Sequence, residues 1–280
     1  MNAAVEDRPI KPVAKDTIVM ALVLSGLCAC HPGEIGGAGA IGARPSPSEG
    51  TANAYRSPPT VTGATLVGGE RVTLAGRAEA GARVRLATPA GQALFAKAGA
   101  DGVWRLDVPA PAAPRLFGLA SLEGRRPLQS EGYVVVAPRG LAAQLRAGAG
   151  ARVIGGGPAG PAIQAVDFDS KGGAVVSGRA APRAALDIWV DGERRGHGQA
   201  TDDGQFFLPL DEPLSFTGHR VEVVDGPRRV SVFPNLSRAA PLTRGPYRDQ
   251  KTSSGWRIDW ITPGGGLQTT LLITNDGGHA

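Results

Sequence analysis

The chain is nearly without cysteine. Two of its 280 residues are Cys, at positions 28 and 30, and none follows. A disulfide framework is therefore excluded past residue 30, and whatever folds there is held by packing alone. Aromatic residues are scarce, at 5%, and charged residues stand at 20%. The 30 basic and 25 acidic side chains leave +5, spread along the chain. A nucleic-acid binder shows a concentrated basic patch and a recognisable module; neither is here, so no nucleic-acid partner is expected. A membrane-spanning helix is missing too, because the uncharged run 17–29 falls short of the roughly 20 residues a bilayer requires. What is abundant is Gly (41) and Pro (23), close to a quarter of the chain. The glycines have no period of three, which excludes collagen, and 42% hydrophobic residues suffice for a core. The composition is that of a turn-rich, helix-poor protein.

The run 17–29 has the proportions of a signal-peptide h-region behind Lys11 and Lys15. It ends in Leu27-Cys28-Ala29-Cys30. This resembles the lipobox of bacterial lipoproteins, with Leu at −3, a small residue at −1 and then the lipidated Cys. The resemblance implies cleavage after residue 29 and acylation at Cys30; Cys28 is the weaker candidate, because Leu27 would stand at −1. The competing readings are a plain secretory peptide with two incidental cysteines, or an apolar N-terminal helix of a cytosolic chain. Residue 31 is His rather than Asp, which by the sorting rule of some Gram-negative lipoproteins implies the outer membrane rather than the inner. Residues 30–59 are rich in Gly and Pro and read as a flexible linker with a reach of roughly 30 Å.

Past residue 60 the chain alternates in short runs separated by Gly, Pro and Asp-Gly. Val84-Arg85-Leu86, Val103-Trp104-Arg105-Leu106-Asp107-Val108 and Tyr133-Val134-Val135-Val136 read as strands at the spacing of an all-β sandwich. A repeat runs through them at an offset of 102 residues. Gly76-Arg77-Ala78 recurs as Gly178-Arg179-Ala180, Asp101-Gly102 as Asp203-Gly204, and Trp104, Leu106 and Val108 as Phe206, Leu208 and Leu210. Trp104 and Phe206 are thus expected to be equivalent core residues. The order of a strand ending in Gly, a small-residue turn, a Val-x-Leu strand and Asp-Gly before an aromatic strand resembles the bacterial Ig-like domains of envelope and surface proteins. The second copy has Pro182-Arg183-Ala184 at the small-residue turn, without the Gly of Ala80-Gly81-Ala82.

The expected fold is all-β: two tandem Ig-like β-sandwiches plus a C-terminal β-hairpin module, after an N-terminal signal peptide. The expected division is signal peptide 1–29, linker 30–59, Ig-like domain 60–138, Gly/Pro-rich linker 139–160, Ig-like domain 161–236 and hairpin module 237–280. The second linker is expected to couple the copies weakly. The C-terminal part does not repeat; Trp256-Arg257-Ile258-Asp259-Trp260 and Leu267–Ile273 flank a Pro-Gly turn and read as a hairpin with one apolar face, which docks on the second domain or on a partner.

Motifs with chemical meaning are few. Val153-Ile154-Gly155-Gly156-Gly157-Pro158-Ala159-Gly160 matches the flavoprotein phosphate loop letter for letter. Such a loop must feed a helix N-terminus, and here Pro161 and an alternating segment follow, so an interdomain linker is expected and no cofactor. Asp167-Phe168-Asp169-Ser170-Lys171-Gly172 lacks the third carboxylate and distal Glu of a calcium loop and reads as an Asx-rich turn. His197 and His219 have no ligands at zinc spacing, and no Gly-x-Ser-x-Gly elbow is present, so no metal and no catalytic residue is assigned. Arg125-Arg126, Arg194-Arg195 and Arg228-Arg229 flank hairpin turns. The candidate ligand surface is Trp256 and Trp260 with Arg228 and Arg229. The expected function is a non-enzymatic, lipid-anchored cell-envelope protein that binds or spaces. The alternative is a carbohydrate- or peptidoglycan-binding module using the C-terminal aromatic strand. Expected partners are the membrane, through the lipid, and an envelope glycan or another envelope protein.

Overall fold

Seven strands form the first repeat copy: β1 (Thr60–Val67), β2 (Arg71–Arg77), β3 (Arg83–Ala87), β4 (Ala93–Lys97), β5 (Val103–Pro109), β6 (Arg115–Glu123) and β7 (Arg126–Gln129). They divide into a sheet β1-β2-β5 and a sheet in which β6 lies between β3 and β7 and β3 carries β4. The second copy repeats this with β11 (Ala162–Asp169), β12 (Ala174–Arg179), β13 (Ala185–Val190), β14 (Glu193–Gln199), β15 (Gln205–Pro209), β16 (Val221–Asp225) and β17 (Arg228–Val232). There the sheets hold β15-β12-β11 and β14-β13-β16-β17. This three-plus-four division is an Ig-like sandwich. The computed structural model describes residues 56–274, except 124–125 and 156–159. The expected signal peptide, Cys28, Cys30, most of the expected first linker and the centre of the glycine-rich motif lie outside the described residues.

The copies agree in irregularities as well as in strands. A β-bulge falls between Val61 and Gly63 in β1 and between Ile163 and Ala165 in β11, again 102 residues apart. Gly76 and Gly178 stand against these bulges. A Cβ on Gly178 would lie 1.9 Å from the Ala162 carbonyl oxygen and 2.8 Å from the Phe206 ring, and one on Gly76 would meet Thr60 and Trp104 in the same way. The repeat's Gly is thus required by the backbone carbonyl opposite and by the aromatic side chain stacked on it. Trp104 and Phe206 are both buried in the cores of their sandwiches, as the register implies. Arg77 and Arg179 each donate to the carbonyl of the following Asp-Gly turn, at Asp101 and Asp203. At the turn where the second copy lacks Gly, Arg183 takes the left-handed backbone that Gly81 takes in the first, with φ of 59° against 74°.

Residues 139–160 are not a linker throughout. They hold β9 (Ala142–Leu145) and β10 (Arg152–Ile154), which with β8 (Tyr133–Val136) form a three-stranded meander beside β6. The C-terminal hairpin is likewise a meander of three strands, β18 (Tyr247–Thr252), β19 (Gly255–Ile261) and β20 (Leu267–Ile273), with β20 hydrogen-bonded to β11. Each meander extends one sheet of one sandwich, and the two extended sheets pack face to face. Leu116, Val135, Ala143, Leu145 and Val153 from the first meet Ala165, Ile258, Trp260 and Leu272 from the second in one buried cluster. The result is four stacked sheets with three apolar layers between them. The expectation of weak coupling is corrected accordingly: the copies share a core.

Alternation explains how a strand serves two layers. In β8, Val134 and Val136 enter the first sandwich's core while Val135 faces the seam. In β20, Leu271 enters the second core and Leu272 the seam. Strands covered on both faces read as continuous apolar runs, which is the composition of β8; β20 departs from it at Gln268-Thr269-Thr270, which are buried as well.

Candidate functional site

The structure does not bring the expected ligand residues together. Trp260 lies at the centre of the seam with no exposure to solvent. Its Nε1–H donates to Thr270 Oγ1 at 3.1 Å, and Tyr133 stands edge-on to it with ring centroids 5.8 Å apart. Trp256 is half-buried at the edge of the same seam, with the Lys251 ammonium 5.2 Å from its ring. The other face of β19 is covered too. Arg257 and Asp259 are buried, joined at 2.8 Å, and Arg257 also donates to Ser237 Oγ at 2.7 Å. β19 is therefore enclosed on both sides, and Trp260 offers no face to a sugar. Arg228 and Arg229 are exposed on β17, in the outermost sheet of the second sandwich, a different layer from the two tryptophans.

Arg229 belongs instead to a grid on the outer face of β13, β16 and β17. Leu186, Ile188, Val190, Val221 and Val223 point into the core, which leaves Asp187, Trp189, Glu222, Arg229 and Ser231 on the solvent side. Register places Trp189 opposite Glu222 and Glu222 opposite Ser231. Glu222 is covered by two guanidiniums, Arg220 at 3.0 Å and Arg229 at 3.1 Å. Arg229 also stands 5.6 Å over the Trp189 ring, and Arg220 stands 6.0 Å over Phe233. Phe233, at 65% exposure, is the most exposed of the large apolar side chains described. Two accessible aromatic rings thus flank a fixed Arg–Glu–Arg bridge, an arrangement that offers stacking and oriented hydrogen bonding together. Sequence reasoning missed Trp189, although the signal was present. In Leu186-Asp187-Ile188-Trp189-Val190 the aliphatic residues occupy the inward parity, so the Trp must face out.

One constellation has the outline of a catalytic triad. His219 Nδ1 lies 2.7 Å from Asp191 Oδ2, and Nε2 lies 3.3 Å from Ser215 Oγ. The Ser215 carbonyl oxygen, however, lies nearer to Nε2, at 2.9 Å. A general base needs a free lone pair there, and a carbonyl oxygen takes up that direction. The buried imidazole is a clasp between the turn at Asp191 and the segment 215–219. Asp191 is further tied to the Arg220 N–H, and these two hydrogen bonds, the backbone one first, hold its carboxyl below the usual range.

The seam contains one buried carboxylate. Asp167 accepts hydrogen bonds from the Ala151 N–H at 2.6 Å, Thr270 Oγ1 at 2.5 Å and Gln268 Nε2 at 3.3 Å. Gln268 Oε1 in turn accepts the Gly148 N–H, and Ser177 Oγ donates to the Ala151 carbonyl. The loop 146–151 of one extended sheet is thus held by side chains of the other. Burial outweighs these hydrogen bonds and pushes the Asp167 carboxyl up to about 6. Asp169, two residues on, closes an Asx turn onto the N–H groups of Lys171 and Gly173. At the glycine-rich motif, β10 leads to Gly155, and the next element among the described residues is the strand β11.

The sheets define the class: an all-β protein built on Ig-like sandwiches. No family model matches the chain, and no curated protein matches it. Among solved structures, the chain is similar to the central fibronectin-III array of RIM-binding protein, at 12% identity over 80% of this chain and 88% of that one, with a TM-score of 0.24.

Proposed function

We propose that the protein is a lipid-anchored component of a bacterial cell envelope, without enzymatic activity, that holds a rigid two-sandwich body off the membrane and presents it for binding. Cys30 is the acylation site, residues 31–59 are the tether, and the outer membrane is the destination that His31 favours. The observation that carries the reading is the shared seam. A body meant to space or present must not bend at its middle, and a buried core running between the sandwiches supports that stiffness where a flexible linker would not. The presented surface is the outer grid, with Trp189 and Phe233 as stacking rings and Arg220 and Arg229 as polar contacts held in place by the Glu222 beneath them. An envelope glycan is the partner of matching chemistry; another envelope protein is the rival.

Two measurements test this. Intact mass of the membrane-extracted full chain is expected to show acyl chains on a mature form starting at Cys30, and Cys30→Ser to release the protein from salt-washed membranes. A mutant that stays bound overturns the anchor. Pull-down on purified cell-wall polymer is expected to retain the wild type and lose Trp189→Ala, with Trp256→Ala unaffected. Equal retention of Trp189→Ala refutes the assignment of the grid.

A further inference from the structure

At one end of the seam the sheets part around a cavity of about 320 Å³. Its wall is drawn from three places in the chain: Thr62 of β1, Arg152 of β10 with Gly155 after it, and Arg179, Asp203 and Gln205 of the second sandwich. Arg152 carries the anomaly. Its Nε is sealed from solvent and has no hydrogen-bond partner among the described residues. Buried donors in folded proteins are almost always partnered, and an orphaned one points to an absent water, ion or ligand group. On a guanidinium the cost of leaving it unmet is at the upper end for polar groups.

The rest of the wall suits one kind of occupant. Arg179 is fixed, with Nη1 donating to the Gly155 carbonyl at 3.1 Å and Nη2 to the Asp203 carbonyl at 3.1 Å. The second of these bonds is inherited from the repeat, since Arg77 makes the same one; the first exists only at the seam. The cavity thus has two guanidiniums against one carboxylate. That carboxylate, Asp203, already accepts a hydrogen bond from Thr201 Oγ1 at 2.5 Å. One positive charge is left over, on a side chain whose planar fork matches an oxyanion. Gln205 and Thr62 add uncharged hydrogen-bonding groups to the wall. The volume is at the lower end of small-ligand pockets and far above that of one water.

We propose that this cavity is a binding site for a small oxyanion, a carboxylate or phosphate group, held by Arg152 with Arg179 as a fixed positive wall. Because both sandwiches contribute, a bound oxyanion links them. The site is independent of the lipid anchor and of the outer grid. The same group can arrive as a free metabolite or as part of an envelope polymer, and the chemistry that Arg152 recognises is common to both.

The test uses the full chain in detergent, with calorimetric titration and thermal melts in inorganic phosphate and in acetate against sodium chloride of equal ionic strength. Phosphate or acetate is expected to raise the melting temperature by about 2–4 °C over chloride, and Arg152→Gln is expected to weaken binding at least tenfold. Arg105→Gln, which removes the same charge from an exposed position on β5, leaves binding unchanged. Arg152→Lys keeps the charge but loses the fork, and is expected to fall between the two. If Arg152→Gln fails to fold by circular dichroism, Gln205→Ala takes its place, with a weaker but measurable loss. Soluble phosphorylated or carboxylated glycan fragments form a second arm: tighter binding than the free ion assigns the polymer as source, and equal binding assigns the free ion. No heat and no stabilisation beyond chloride in the wild type refutes the site and leaves a water-filled cavity. An undiminished response in folded Arg152→Gln refutes Arg152 as its anchor.

Discussion

Trp260→Ala is the most informative single substitution, because Trp260 belongs to neither sandwich's own core. It is wholly buried among residues of both extended sheets, and the two sandwich cores are complete without it. Truncating a buried large aromatic costs about 3–5 kcal/mol, and the lost edge-to-face contact with Tyr133 is part of that figure. The hydrogen bond from Nε1 to Thr270 adds little, since Thr270 keeps its own bond to Asp167. A loss of that size takes a large share of the roughly 5–15 kcal/mol a folded domain has in total. It falls on the contact between the sandwiches and not on either one. Scanning calorimetry of the wild type should therefore show one cooperative transition. In Trp260→Ala the transition should move down and split in two, the first copy unfolding apart from the second. Two independent transitions in the wild type, or a change under about 1 kcal/mol with cooperativity intact, would refute the shared core.

Three further outcomes follow from the same geometry. Asp167 is raised by burial to about 6 from an unfolded value near 3.8, so between those limits the native state holds a proton the unfolded chain has lost. Stability then falls as pH rises through that window, by about 3 kcal/mol in all; urea melts from pH 4 to 7 should show the slope, and Asp167→Asn should flatten it. Gly178→Ala forces a Cβ onto the Ala162 carbonyl and the Phe206 ring and should cost about 3 kcal/mol; a neutral thermal melt would mean that the bulge opposite relaxes freely. Arg183→Gly relieves a left-handed residue and should stabilise the second sandwich by up to about 1 kcal/mol, read from the denaturation midpoint.

Much of the fold was legible because its signals are local. Period-two alternation marked strands, Asp-Gly marked turns, and the 102-residue offset carried even the bulges from copy to copy. Trp104 and Phe206 could be placed in cores because an alternating strand has one inward parity, and turn chemistry fixes where it begins. The glycine of Gly-Arg-Ala was conspicuous because it recurs at the same offset, although the steric demand behind it comes from Thr60 and Trp104, or Ala162 and Phe206, on the strands alongside.

Only the tertiary structure decided what covers each face. Alternation says that Trp256, Ile258 and Trp260 share a side of β19; it does not say whether water or another sheet lies beyond. The segment 139–160 misled for a related reason. Alanine and glycine are poor strand formers, and in isolation they read as linker. In the cluster that holds Trp260, however, small side chains are what let two sheets close, and Ala143 and Ala151 of this segment are buried there. Trp189 is the converse case, since its parity pointed outward in the sequence but its flanking Arg229 and Glu222 come from strands more than 30 positions later. The cavity at Arg152 was beyond reach altogether, because its wall joins residues from 62 to 205. Local sequence dictates strand, turn and parity through short-range sterics; the seam and the sites on it depend on side chains that meet only when the sheets stack.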